Sequence, residues 1–112
     1  MALANGPTIP SPTVGQVLAQ AVFPTSRHIR LSVLITATFG FDAMLQILDG
    51  TGAIVTDMIL KVGQTMWQSE PLGPFVIQQN GRVQIVVRDT PGPTAEPFEV
   101  QATIDYRDWG ER

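Results

Sequence analysis

Between His28 and Phe39, the apolar residues Ile29, Leu31, Val33, Ile35, Ala37 and Phe39 alternate with Arg30, Ser32, Leu34, Thr36 and Thr38. Successive side chains of a strand point to opposite faces, so a period of two predicts a half-buried β-strand. Phe98, Val100, Ala102, Ile104 and Tyr106 alternate in the same way with Glu99, Gln101, Thr103, Asp105 and Arg107, and predict another. Each has an apolar side for a core and a polar side for water or a partner. Shorter runs lie between them. Ala43 to Leu48 leads through Asp49-Gly50-Thr51-Gly52 into Ala53 to Leu60, and Phe75 to Gln79 leads through Asn80-Gly81 into Arg82 to Arg88. Asp-Gly and Asn-Gly between apolar runs predict hairpins, because glycine reaches positive φ without steric cost. Thr65 to Ser69 predicts a short strand ended by Pro71-Leu72-Gly73-Pro74, and the proline-rich stretch from Asp89 to Pro97 predicts a loop.

One stretch, Val14 to Phe23, fits two periods. Val14, Val17, Leu18 and Ala21 make a helical stripe, whereas Val17, Ala19, Ala21 and Phe23 alternate as in a strand. The strand is preferred because everything downstream has period two, and Pro24 ends either element. About eight short strands at spacings near ten residues predict an all-β fold: a single-domain antiparallel β-sandwich or jelly roll. The domain would span 16–107, with an extended arm over 1–15 and a tail over 108–112. Val86 and Leu34 break strict alternation. They mark either a second inner face or an outer surface covered by another subunit.

The arm has its own character. From Met1 to Ser26 no side chain is charged, and Pro7, Pro10 and Pro12 fall within the first half. Proline fixes φ and biases the preceding residue towards extended backbone, so this stretch is extended and not helical. It is either a frayed terminus or an arm lying on a neighbouring subunit. No positive n-region or continuous apolar h-region occurs over Met1 to Gly15, so no secretory signal is expected.

Composition narrows the function. Charged residues are only 15% of the 112, against about 25% in an average soluble domain, while apolar residues are 44%. That excludes a disordered chain, and no apolar run approaches the length of a membrane-spanning helix. With 7 basic against 10 acidic residues and no basic cluster, nucleic acid is not an expected partner. Absence of cysteine removes disulfides and thiol chemistry, and fits a reducing compartment or a particle surface equally.

Catalytic chemistry finds little to work with, and no enzyme, cofactor or metal site is expected. His28 is the single histidine, GxSxG is missing, and no glycine-rich phosphate loop precedes a helix. Zinc would need clustered ligands that the chain does not have. Asp42, Asp49 and Asp57 fall near one hairpin, where they either hold calcium or cap backbone N–H groups, as aspartate commonly does in turns. Glu99, Gln101, Thr103 and Asp105 form either a solvated face or a sugar-binding one, with Trp67, Tyr106 and Trp109 as stacking candidates. Trp109, near the chain end, anchors the tail on its own domain or on a neighbour.

Assembly fits better. Polar positions are filled by Gln and Thr, which are less costly to desolvate than ions. Lysine, which commonly defends exposed sheet edges, occurs once, as Lys61. Arginine supplies the other six cations and is enriched at interfaces. Expected contacts are Pro7, Ile9 and Pro10 of the arm, with Arg27, Arg30, Trp67, Arg107 and Trp109.

The stretch RHIRLSVLITATFGFDAMLQILDGTGAIV, with the short strands after it, resembles small β-sandwich and jelly-roll modules of viral capsid, decoration and spike proteins. The resemblance covers about residues 15–107 as a strand pattern and shares no diagnostic motif. The pattern is also similar to carbohydrate-binding and pre-peptidase-type extracellular modules. The first resemblance implies a non-enzymatic virion subunit that forms a homo-oligomer, often a trimer, with an arm reaching a neighbour or a capsid protein. The second implies a ligand-binding module. Fold alone does not decide between them.

Overall fold

The computed structural model describes residues 2–92 and 96–108. They form two antiparallel sheets packed face to face, the expected β-sandwich. The first contains β1 (Ala2–Asn5), β2 (Ile9–Pro10), β4 (Arg27–Ala37), β7 (Thr65–Gln68), β8 (Leu72–Ile77) and β10 (Glu99–Asp108). The second has the order β3 (Val17–Phe23), β9 (Gly81–Asp89), β5 (Phe41–Leu48) and β6 (Ile54–Val62). Val14 to Phe23 therefore resolves as a strand from Val17, with a bulge between Val17 and Ala19.

The two strands with the clearest alternation form the middle of the first sheet. Val100, Ala102 and Ile104 of β10 lie opposite Ala37, Ile35 and Val33 of β4, and all six are buried. Across the sandwich they face Ala43, Leu45 and Ile47 of β5 and Val83, Ile85 and Val87 of β9. Burying aliphatic area of this kind is the main stabilising term of the fold, at roughly 25 cal/mol per Å².

The hairpin expected at Asp49-Gly50 forms. β5 and β6 pair antiparallel, and the connection is closed by the Asp49 N–H donating to the Ala53 carbonyl at 2.9 Å. The hairpin expected at Asn80-Gly81 does not. β8 pairs with β4 in the first sheet, while β9 pairs with β3 and β5 in the second. The turn chemistry is present, with Asn80 at φ 62° and the Gly81 N–H donating to the Gln78 carbonyl at 2.8 Å. It serves as a corner between sheets because both sides of β9 are already taken. Pro74, which has no N–H to donate, holds β8 to a sheet margin. Residues from Leu72 onward, expected as part of the preceding turn, belong to β8.

The arm is extended, as its prolines require, but neither frayed nor reaching away. Ala2–Asn5 and Ile9–Pro10 both pair with β10 of the same chain, covering its free edge. Further along, the Ser11 N–H donates to the Phe98 carbonyl at 2.6 Å and the Gly15 N–H to the Val87 carbonyl at 2.8 Å. At the crossing between the sheets, Gly6 lies so close to the Leu18 carbonyl that no Cβ would fit. An uncharged segment can be hydrogen-bonded down in this way without burying ions.

Candidate functional site

A sandwich has two outer faces, and here they differ in kind. On the first sheet, Arg30, Ser32, Leu34 and Thr36 of β4 lie opposite Arg107, Asp105, Thr103 and Gln101 of β10. That face is polar, as the alternation predicts. Two of its polar groups bond to the arm: Thr103 Oγ1 donates to Asn5 Oδ1 at 2.9 Å and Gln101 Nε2 to the Gly6 carbonyl at 3.3 Å. Arg30, Ser32, Pro71, Asp105 and Arg107 line a shallow hollow at one end.

The expected contact residues that are described, all but Trp109, fall on this sheet or its margins. Pro7 and Pro10 are exposed and Ile9 is half-buried on β2. Arg30 and Arg107 are register partners. Arg27 is held within the chain: its guanidinium pairs with Asp108 at 2.6 Å and lies 5.4 Å from the Phe23 ring centre and 5.6 Å from that of Tyr106. Trp67 sits opposite Ile35 on the inner side of β7, half-buried and packed on the core. Tyr106 meets Phe23 edge-on, with ring centres 5.1 Å apart. Neither aromatic is displayed on the Glu99–Gln101–Thr103–Asp105 face, so neither offers a sugar platform there. Trp109 lies outside the described residues.

The three aspartates near the hairpin do not converge on one site. Asp49 accepts from the Thr51 N–H at 2.9 Å, the Thr51 hydroxyl at 2.6 Å and the Ala53 N–H at 3.1 Å. The Thr51 hydroxyl bond above all holds the Asp49 carboxyl below the usual carboxylate range. Asp42 meets Lys61 at 3.2 Å and Arg88 at 3.7 Å, while Asp57 is exposed on β6. Among the described residues no three acidic or histidine side chains converge as a metal site, and no helix is long and apolar enough to cross a membrane.

The outer face of the second sheet follows a different rule. Its strand registers place Val17, Val86, Met44 and Ile59 in one row across all four strands. A second row contains Val22, Arg82, Leu48 and Ile54. Between them runs a row of Gln20, Gln84, Gln46 and Asp57, in which Gln84 Nε2 donates to Gln46 Oε1 at 2.7 Å. An antiparallel sheet with one wet face normally alternates apolar inside with polar outside. Here two of the four outward rows are mainly apolar, the fourth being the charged one of Asp42 and Lys61 with Arg88 beside them. Val22 is 60% exposed, Ile54 53% and Ile59 47%, while Val86 and Leu48 at the middle of the face are buried by their neighbours. Val86 thus belongs to an outer surface, as does Leu34 on the first sheet.

The sheet edges differ as well. Those of the first are short or proline-bearing: four residues in β1, two in β2, four in β7, and Pro74 in β8. In the second, β3 is flanked by the arm at Gly6. β6 has nine residues, no proline and one lysine, and is paired only on its β5 side. Sequence reasoning missed Val17, Met44, Ile59 and the β6 edge. A signal was present, because Ile54 to Val62 carries apolar residues on both parities instead of one.

Comparison of the chain with family models, with curated proteins and with solved structures gave no match.

Proposed function

We propose that this protein is a non-enzymatic assembly subunit, a homo-oligomeric β-sandwich that works by burying its surface against copies of itself. The observation that carries this reading is the outer face of the second sheet, where the rows Val17–Val86–Met44–Ile59 and Val22–Arg82–Leu48–Ile54 put aliphatic side chains where water is expected. Their exposed members lie at the two margins of the face, Val17 and Val22 on β3 and Ile54 and Ile59 on β6, where a neighbouring molecule would cover them. Scarce charge supports the same reading, since an interface core is depleted in ions. The particle it would serve is a virion, as a capsid decoration, minor capsid or spike-type component; that setting rests on the strand-pattern resemblance. Light scattering on the purified chain tests the assembly reading. A native mass that is a multiple of 12.2 kDa is expected. A monomer at every concentration reached, unable to attach to any particle, overturns it.

A further inference from the structure

We infer that two copies meet edge to edge through β6, as an antiparallel pair with its two-fold axis at Ile59; this rests on the assembly reading and names its contact. β6 is the one long edge among the described residues that is neither covered nor interrupted by proline, and such an edge is a template for strand pairing. Its sequence is self-complementary about Ile59. Antiparallel pairing centred there places Asp57 opposite Lys61 of the second copy, and Lys61 opposite the second copy's Asp57. All three positions lie on the outer face, because Asp57, Ile59 and Lys61 are opposite Gln46, Met44 and Asp42 in the β5 register. On the inner side the same pairing sets Met58 against Leu60 and Thr56 against Val62.

The charges fit the rest of that face. Arg88, Asp42 and Lys61 already form an alternating row, with Asp42 at 3.7 and 3.2 Å from its neighbours. Asp57 of the second copy continues it with the sign it requires. The apolar row Val17–Val86–Met44–Ile59 likewise continues into Ile59 of the second copy, so that one unbroken aliphatic band crosses the joined sheets. Register slips lose both features at once, which is why the centre falls at Ile59. The contact is isologous and therefore closes on two copies. A three-fold trimer, which the resemblance implies, has no place for it.

The test uses charge reversal in the full chain. Asp57→Lys puts lysine opposite lysine twice, and Lys61→Asp puts aspartate opposite aspartate twice. Like charges directly opposite are destabilising, so each variant is expected to weaken dimerisation roughly tenfold or more. Mixing the two variants restores opposite charges in trans, and the double variant restores them in cis; both are expected to regain the wild-type dimer mass. Circular dichroism checks that each variant is folded. Should Lys61→Asp fail to fold beside Asp42, Ile59→Glu on the exposed face replaces it, with loss of the dimer expected. A wild-type dimer that persists in both single variants overturns the β6 contact and leaves the assembly reading standing. Loss that neither mixing nor the double variant repairs also overturns it, as does a native mass of three copies. A wild-type monomer removes the assembly reading and this contact together.

Discussion

Replacing Gly6 by alanine tests how firmly the arm belongs to the sandwich. A Cβ there would overlap the Leu18 carbonyl oxygen and approach the Ala102 oxygen at 3.1 Å, and both obstacles are backbone. The arm must therefore lift. Lifting breaks the Gly6 N–H to Ala102 carbonyl bond of 2.8 Å, the Gln101 bond to the Gly6 carbonyl of 3.3 Å and the Thr103–Asn5 bond of 2.9 Å. A hydrogen bond contributes about 0.5–1.5 kcal/mol net, with exposed ones at the low end, so the loss is about 2–3 kcal/mol. With about 2.1 cal/mol/K of unfolding entropy per residue over 112 residues, Tm falls by roughly 8–13 °C. Thermal denaturation measures this, with Thr8→Ala on the exposed part of the arm as a control expected within about 0.5 kcal/mol of wild type. Hydrogen exchange adds a local readout: the amides of Ala4 and Gly6, on the parity that faces β10, lose protection while those of β4 keep it. An unchanged Tm with those amides still protected refutes the close packing at Gly6.

Other consequences follow from single contacts. Ile85→Ala, at a fully buried position in the middle of β9, costs about 2–5 kcal/mol in urea denaturation. Gly81→Ala lowers Tm as well, because its Cβ would lie 2.7 Å from the Leu48 oxygen and 2.8 Å from the Gln78 oxygen. Arg27→Ala removes a part-exposed ion pair and a stack on Phe23 and Tyr106, and destabilises by only about 1 kcal/mol. Asp49 has a pKa lowered by folding, so its stabilisation is present at neutral pH and is lost as pH falls through its folded pKa. The Tm gap between wild type and Asp49→Ala therefore narrows in acid, and a gap that stays constant with pH contradicts the capping role.

The fold was legible where alternation was clean. β4 and β10 follow their period because each has one buried face, and Asp49-Gly50 forms its hairpin because both flanking strands lie in the same sheet. Asn80-Gly81 shows the limit of local reading. A turn-forming pair fixes a change of direction, but which strands then pair is decided by what flanks β9 on either side, and that is set by residues far away in the chain. The arm misled for a related reason: its lack of charge does mean that it is laid against protein, but the protein is its own β10. The candidate face was hidden because its rows are built from one residue per strand. Val17, Val86, Met44 and Ile59 become neighbours only once four strands are in register.

Hydrogen exchange measured across a range of protein concentrations tests the proposed contact between copies at the β6 edge most directly. The amides of β6 that point away from β5 should exchange quickly in dilute solution and become protected as concentration rises, with the core strands unchanged. Exchange in β6 that does not depend on concentration, in a sample whose native mass stays at 12.2 kDa, contradicts it.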